Sequence, residues 1–175
     1  MLQPLVDEPL ILTERDSVIA PVHIEGLPAR LVALGRTWQR KHEFHLTALT
    51  RARMERCGAD ESAWRAAAAF AVGRSLAPVL PTREVRIARD ERSSLQTVIV
   101  MVQCPTLVDL FRELRELTGV ELPSLPAHIT LYSNDPAQGI GLADRAELEA
   151  LAPALDEPGQ RSLRDAMSFA RAFKV

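Results

Sequence analysis

One short pattern occurs twice in this chain and limits what the chain can fold into. The segment 44–49 reads Phe-His-Leu-Thr-Ala-Leu, and 83 residues later the segment 127–132 reads Ala-His-Ile-Thr-Leu-Tyr. Polar and apolar residues alternate in both copies, which is typical of a β-strand with two different faces. In each copy the histidine and the threonine share one face, and the aliphatic residue between them points into a core. The chain must therefore bury one side of two distant strands and leave the other side open.

The remaining elements are predicted as a mixture of strands and helices. Strands are expected at 17–24, 84–89 and 95–102, the last two as a hairpin. Helices are expected from Pro28, where Leu31, Leu34 and Trp38 recur at helical spacing, and at 60–76, 106–118 and after Asp144. The tail 160–173 is compatible with a loose helix or a short closing strand. Strands and helices do not alternate strictly and no glycine-rich phosphate loop is present, so the order predicts an α+β fold.

Composition places the chain among ordinary folded proteins. It has 175 residues, of which 47% are apolar and 25% charged. This length predicts a single domain over 1–175, or two small lobes with a shared core. The net charge of −2 argues against an extended basic surface that binds long nucleic acids, but it allows a small substrate or an RNA end. Cys57 and Cys104 form no C-x-x-C pattern and are interpreted as reduced thiols.

The sequence also predicts the cellular location of the protein. The first nine residues lack a basic region and are interrupted by acids and prolines, so no secretory signal is expected. No apolar run is long enough to cross a bilayer. We expect a cytoplasmic protein that has no membrane contact and is a monomer.

The two motifs together supply the groups needed for phosphoester chemistry. If His45 and His128 meet across a cleft, a neutral imidazole removes a proton from water and a protonated one donates to the leaving oxygen. The hydroxyls of Thr47 and Thr130 can donate hydrogen bonds to the phosphate oxygens. This division of labour requires neither a metal nor a cofactor, and it predicts a bell-shaped dependence of rate on pH.

The paired His-x-Thr motifs resemble those of the two-histidine (2H) phosphoesterase superfamily, which includes the bacterial RNA 2′-5′ ligase-like proteins and cyclic nucleotide phosphodiesterases. The resemblance covers about 18–142. It implies a bilobal α+β fold in which each lobe is a small antiparallel sheet with helices outside, and each lobe gives one motif to a central cleft. It also implies a metal-independent cyclic phosphodiesterase that opens 2′,3′-cyclic or related phosphates on nucleotides or RNA ends. His45, Thr47, His128 and Thr130 carry over as its catalytic residues.

Other side chains are weaker candidates. Tyr132 and Asn134 share strand parity with His128 and Thr130, so they are predicted to extend the wall that binds substrate. The loop 138–141 is interpreted either as a rim over the ligand or as a plain turn. No arginine stands directly beside either motif, so how the cleft handles phosphate charge is open.

The other histidines and the basic stretch receive structural interpretations. His42 is predicted to face away from His45 on the approach to the strand, and His23 is interpreted as a structural histidine. The arginines of 83–92 are interleaved with acidic residues, which favours a solvated face over a surface that binds RNA.

Two other functions are compatible with the sequence. One is a module that binds cyclic or terminal phosphates without turning them over, and the other is a scaffold that retains only the fold. The presence of both imidazoles with both hydroxyls favours the enzyme. Either histidine can be the base, so the sequence allows a 2′- or a 3′-phosphate product.

Overall fold

The computed structural model describes residues 3–174, so Met1, Leu2 and Val175 of the predicted domain lie outside the described residues. Within that range the chain is α+β, with nine strands and six helices. The strands are β1 (Val6–Asp7), β2 (Ile11–Leu12), β3 (Ser17–His23), β4 (Arg30–Ala33), β5 (Arg36–Arg40), β6 (Phe44–Thr50), β7 (Leu80–Arg89), β8 (Gln96–Gln103) and β9 (His128–Ser133). The helices are α1 (Arg51–Arg56), α2 (Glu61–Ala71), α3 (Pro105–Thr118), α4 (Arg145–Leu151), α5 (Glu157–Ala166) and α6 (Phe169–Ala172).

The nine described strands form one antiparallel sheet with β6 and β9 at its centre. Strand β6 pairs with β3 on its other edge, and β9 pairs with β8, which continues to β7. The second edge of β9 is shared, because its start pairs with β6 and its end pairs with β5. The two copies of the repeated pattern, distant in sequence, are thus neighbouring strands.

The register brings the two motifs into a near-symmetric arrangement. Leu46 pairs with Ile129. In an antiparallel pair this register places His45 across from Thr130 and Thr47 across from His128. Each motif therefore presents its histidine beside the other motif's threonine on one face of the sheet.

A β-bulge follows the motif in each of these two strands. Opposite β3, the pairing steps from Thr47 to Leu49, and opposite β8 it steps from Thr130 to Tyr132. Ala48 and Leu131 are the extra residues, so each strand has two consecutive core residues after its threonine. The bulge ends the alternation that the sequence pattern implied beyond the motif.

The predicted helix after Pro28 is wrong, because this segment is a β-hairpin. Strands β4 and β5 pair from Arg30 to Arg40, and Leu31 lies opposite Trp38 with both side chains fully buried. The two residues between the strands, Leu34 and Gly35, both have positive φ angles of 51° and 69°. That conformation is the type I′ turn that matches the twist of a hairpin. Leu31 and Trp38 also fit a helical spacing, and it is the turn that decides between the two structures.

The other predicted elements are confirmed with shifted ends. The hairpin of β7 and β8 lies as expected, and so does helix α3, which ends at Thr118 before Gly119. Helix α2, predicted at 60–76, begins at Glu61 after its cap Asp60 and ends at Ala71. The tail forms the helices α5 and α6, and no strand is assigned in the described part of 160–173.

Apolar residues form two clusters, to which β8 contributes alternate side chains. The larger one contains Leu46 and Ile129 together with Trp64 of α2 and Leu114 of α3. The smaller one joins Ile99 and Met101 of β8 to side chains of the segment after β9, namely Ile140, Leu142, Leu148 and Ala152. Ile99 pairs with Thr130 and Met101 with His128, so the smaller cluster flanks the face that carries both motifs. No helix within residues 3–174 has the length and apolar character to cross a bilayer.

Candidate active site

A cleft of about 840 Å³ lies over the face that carries the two motifs. His45, Thr47, His128 and Thr130 all line it. Its walls come from the turn before β3, the start of β6, helix α1, the loop before β9 and the segment after β9. The four residues predicted from the repeated pattern are therefore brought together.

His128 is held by backbone carbonyls. Its Nδ1 lies 2.7 Å from the carbonyl oxygen of Pro126, which can only accept, so Nδ1 carries a proton. Burial lowers the pKa of His128, while hydrogen bonding to the carbonyls of Pro126 and Ile140 acts in the opposite direction. Burial outweighs the two carbonyls, so the pKa of His128 is lowered, and the hydrogen bond to Pro126 fixes the orientation of the ring.

His45 has different surroundings. Its Nδ1 is buried and has no hydrogen-bond partner among residues 3–174. Burial lowers the pKa of His45 and the nearby Lys41 ammonium lowers it further, Glu43 raises it, and His128 contributes a smaller lowering. Burial and Lys41 therefore favour the neutral form of His45.

The two threonine hydroxyls are available to a ligand. No hydrogen bond in the described part of the chain engages the side chain of Thr47 or Thr130. A Cβ atom added to Gly139 would lie 4.0 Å from Oγ1 of Thr130, so the loop backbone runs close to that hydroxyl. Gly139, Ile140 and Gly141 line the cleft, which favours the rim interpretation of this loop over a plain turn.

Lys41 ties this rim to the strand that carries the first motif. Its ammonium donates to the carbonyls of Pro136 and Gln138, at 2.6 and 2.9 Å. Its backbone N–H donates to the carbonyl of the bulge residue Leu131 at 2.9 Å. Burial lowers the pKa of Lys41, and Asp135 opposes that shift. The segment before β6 thus positions the loop after β9.

Basic side chains line the cleft although none stands next to a motif in sequence. Arg15, Lys41, Arg53 and Arg56 contribute four positive charges, and the acidic residues of the lining are Glu14 and Glu43. Arg56 is exposed and pairs with Glu147 at 2.7 Å. The chain as a whole carries −2, so the cleft concentrates positive charge against that background. Sequence reasoning missed these residues because only the fold brings the turn before β3 and helix α1 to the motifs.

The prediction that Tyr132 and Asn134 extend the cleft wall is wrong, and the bulge is the reason. After Leu131 the parity of β9 changes, so Tyr132 turns into the larger core, where its side chain is fully buried. The Tyr132 hydroxyl donates to the carbonyl of Pro28 at 3.1 Å. The Asn134 side chain accepts from the backbone N–H of Gln96 and donates to the carbonyl of Ser94, so it holds the β7–β8 turn.

The other histidines and the basic stretch also have defined places. His42 is exposed but lines the cleft, contrary to the prediction that it faces away. His23 pairs with Glu8 at 2.9 Å and is not among the residues that line the cleft. Arg86 is buried between Glu84 and Glu149, so it does not contribute to an open basic grip.

Comparisons of the chain with protein-family profiles, with curated proteins and with solved structures found no match. Among residues 3–174 no three histidine, cysteine, aspartate or glutamate side chains come together as a metal-binding group. Support for a function therefore comes from the residues of the cleft and their geometry.

Proposed function

We propose that this protein is a metal-independent cyclic phosphodiesterase that opens 2′,3′-cyclic or related cyclic phosphates at nucleotide or RNA ends, on a bilobal fold of the two-histidine type. The observation that carries the proposal is the adjacency of the two His-x-Thr strands, which puts both imidazoles and both hydroxyls in one cleft. The cluster of basic side chains around them suits an anionic substrate.

The two histidines take different roles in this proposal. His45, whose neighbours disfavour a positive charge, is the base that removes a proton from water. The oxygen of that water forms a new bond to phosphorus, and the bond from phosphorus to one ribose oxygen breaks. His128, with carbonyls at its ring, donates its proton to the departing oxygen. The product is a monophosphate, and the two rings exchange protonation states before the next turnover.

Thr47 and Thr130 bind the non-bridging oxygens in this mechanism. Each lies across the strand pair from the other motif's histidine, so each hydroxyl approaches the phosphate beside one proton-transfer group. Hydroxyls placed in this way on regular strands hold the phosphorus between attacking and leaving oxygens.

The lining of the cleft also suggests how the base of a nucleotide is treated. No phenylalanine, tyrosine or tryptophan is found among the described lining residues, and the walls beyond the motifs include Leu125, Ile140 and Leu142. Bases usually bind by stacking on aromatic rings. Because the described lining offers no such ring, the base should contribute little to binding. We therefore expect the cleft to select the cyclic phosphate, with little preference among the four bases.

The direct test is incubation of the full chain with the four 2′,3′-cyclic mononucleotides and with short RNAs ending in a cyclic phosphate, in excess EDTA. The expected result is formation of one monophosphate isomer at similar rates for all four bases. Saturable binding without any product would refute the enzyme and establish the binding module. If the folded protein shows neither turnover nor binding, both the enzyme and the binding module are refuted.

A further inference from the structure

Two arginines among residues 3–174 are buried, and their surroundings differ in a way that bears on the cleft. Arg86 is 7% exposed and is neutralised by Glu84 and Glu149, at 2.5 and 3.1 Å, with a further hydrogen bond to the carbonyl of Ala152. Arg53 is 3% exposed and forms no ion pair with a carboxylate among the described residues. A buried charge normally requires such a partner, because burial removes it from water.

The contacts that Arg53 does make leave most of its donors unused. One terminal nitrogen donates to the carbonyl of Pro123, and the guanidinium lies 4.8 Å from the ring centre of Phe111. Its Nε and the other terminal nitrogen are buried without a partner. Burial lowers the pKa of Arg53, Cys57 and Asp144 raise it, and Arg56 lowers it. A guanidinium nevertheless stays charged at neutral pH.

The position of Arg53 connects both motifs. It lies in α1, directly after β6, and its backbone N–H donates to Oγ1 of Thr50 at 3.1 Å. Its side chain reaches the loop before β9, whose Pro126 carbonyl orients His128. It also lines the cleft that holds the two histidines.

We propose that Arg53 supplies the positive charge for the phosphate group in the cleft, and that it lacks a carboxylate partner so that bound phosphate becomes its counter-charge. The inference deepens the proposed function and depends on it for the reaction, although anion binding can be tested alone. The ligand class is a phosphate ester whose negative charge increases during the reaction.

The charge change makes Arg53 matter more for the reaction than for initial binding. A cyclic phosphodiester carries one negative charge. When His45 removes the proton of the attacking water, the phosphorus centre carries a second negative charge until His128 protonates the departing oxygen. The monoester product regains a second negative charge when it loses its remaining acidic proton near neutral pH. A fixed buried cation stabilises the more highly charged species preferentially, so Arg53 lowers the barrier more than it lowers KM.

The test compares Arg53→Met and Arg53→Lys with the wild-type chain. Arg86→Met is the control for a buried arginine that does not line the cleft, and Arg65→Met is the control for an exposed one. Thermal unfolding is measured without ligand and with increasing inorganic phosphate, and kcat and KM are measured with a 2′,3′-cyclic nucleotide in EDTA.

We expect Arg53→Met to keep or raise the Tm without ligand, since it removes an uncompensated buried charge. The same variant weakens phosphate binding about tenfold or more, as expected for a lost charge-assisted contact. It lowers kcat by about 10²- to 10³-fold with a smaller effect on KM. Arg53→Lys retains part of both, Arg86→Met lowers the Tm and leaves phosphate affinity unchanged, and Arg65→Met changes none of these quantities.

Unchanged phosphate affinity in Arg53→Met, or no phosphate binding by the wild-type chain, would overturn the inference. So would a fall in Tm like that of Arg86→Met with phosphate affinity retained, because Arg53 would then only hold the loop before β9. A wild-type chain that binds phosphate through Arg53 but turns over no cyclic phosphate would refute the proposed function and keep this inference.

Discussion

His45 and His128 occupy equivalent positions in the two strands, yet their neighbours make them unequal. Burial lowers the pKa of His128, and the carbonyl oxygens at its ring partly offset that shift. His45 has a buried Nδ1 without a partner and Lys41 nearby, which make an imidazolium costly. This difference assigns the base to His45 and the acid to His128 in the proposed reaction.

The pH dependence of kcat/KM follows from these pKa shifts. Burial lowers the pKa of both rings below the ordinary histidine value of 6.5. The active form, with His45 neutral and His128 protonated, is therefore most populated at a pH below 6.5, and activity falls as the pH rises above it. A profile of kcat/KM for a 2′,3′-cyclic nucleotide measures this. A maximum on the alkaline side of 6.5 would contradict these shifts.

Residual activity of the single variants tests the assignment of roles. Without the His45 imidazole, the acidic limb of the profile should disappear, because no base remains to be protonated. Without the His128 imidazole, the alkaline limb should disappear instead. Profiles of His45→Gln and His128→Gln measure both effects, and the opposite pattern would exchange the roles of the two histidines.

The corrected place of Tyr132 gives a separate prediction. Burial raises the pKa of Tyr132 to about 12, so its hydroxyl remains a donor to the Pro28 carbonyl. Tyr132→Phe should lose that bond and about 1 kcal/mol of unfolding free energy. The kinetic constants should not change, because the ring lies in the core. Denaturant unfolding and steady-state kinetics check this, and a raised KM at unchanged stability would place Tyr132 at the substrate after all.

At the level of elements, strands with clear alternation could be predicted, whereas the β4–β5 hairpin could not. The two strands that carry the repeated pattern and the β7–β8 hairpin follow from local patterns. In the 28–40 segment, Leu31 and Trp38 are seven residues apart, a spacing that fits two helical turns as well as a cross-strand pair. Leu34 has a positive φ, which leucine rarely adopts, so the sequence pattern does not indicate a turn there.

The turn of that hairpin is open to a direct test. Gly35 has a φ of +69° and a Cβ added there would meet no atom within 4 Å, so only backbone strain opposes substitution. Gly35→Ala should cost about 1 kcal/mol of unfolding free energy, and Gly35→Asn should cost less because asparagine tolerates this conformation. Urea unfolding of both variants measures the difference. Equal stability of Gly35→Ala and the wild type would argue against the type I′ turn.

The sequence predicts part of the candidate site for the same reasons. Its histidines and threonines lie within the strands whose alternation is visible, before each bulge. Tyr132 was assigned to the wrong face because a bulge leaves no mark in a local polar and apolar pattern. Arg53 and Lys41 reach the site through contacts with residues far away in sequence, at Pro123 and Pro136, which no local pattern contains.

For the whole molecule, the two motifs meet where β6 lies beside β9. Each central strand carries a His-x-Thr motif followed by a bulge, and each is flanked by an outer strand, β3 or β8, paired in the same register. The larger core lies behind the motifs, while the basic residues and the loop after β9 enclose the open face. The central claim is that the two motifs act together on one phosphate.

The measurement that tests this claim most directly is kcat with a 2′,3′-cyclic nucleotide in excess EDTA for wild type, His45→Ala, His128→Ala and His23→Ala. His23 is the control, because it is exposed, pairs with Glu8 and does not line the cleft. Each cleft variant should lose about 10²- to 10⁴-fold in kcat while keeping its circular dichroism spectrum, and His23→Ala should keep full activity. Full activity in a folded His45→Ala or His128→Ala variant would contradict the paired action of the two motifs.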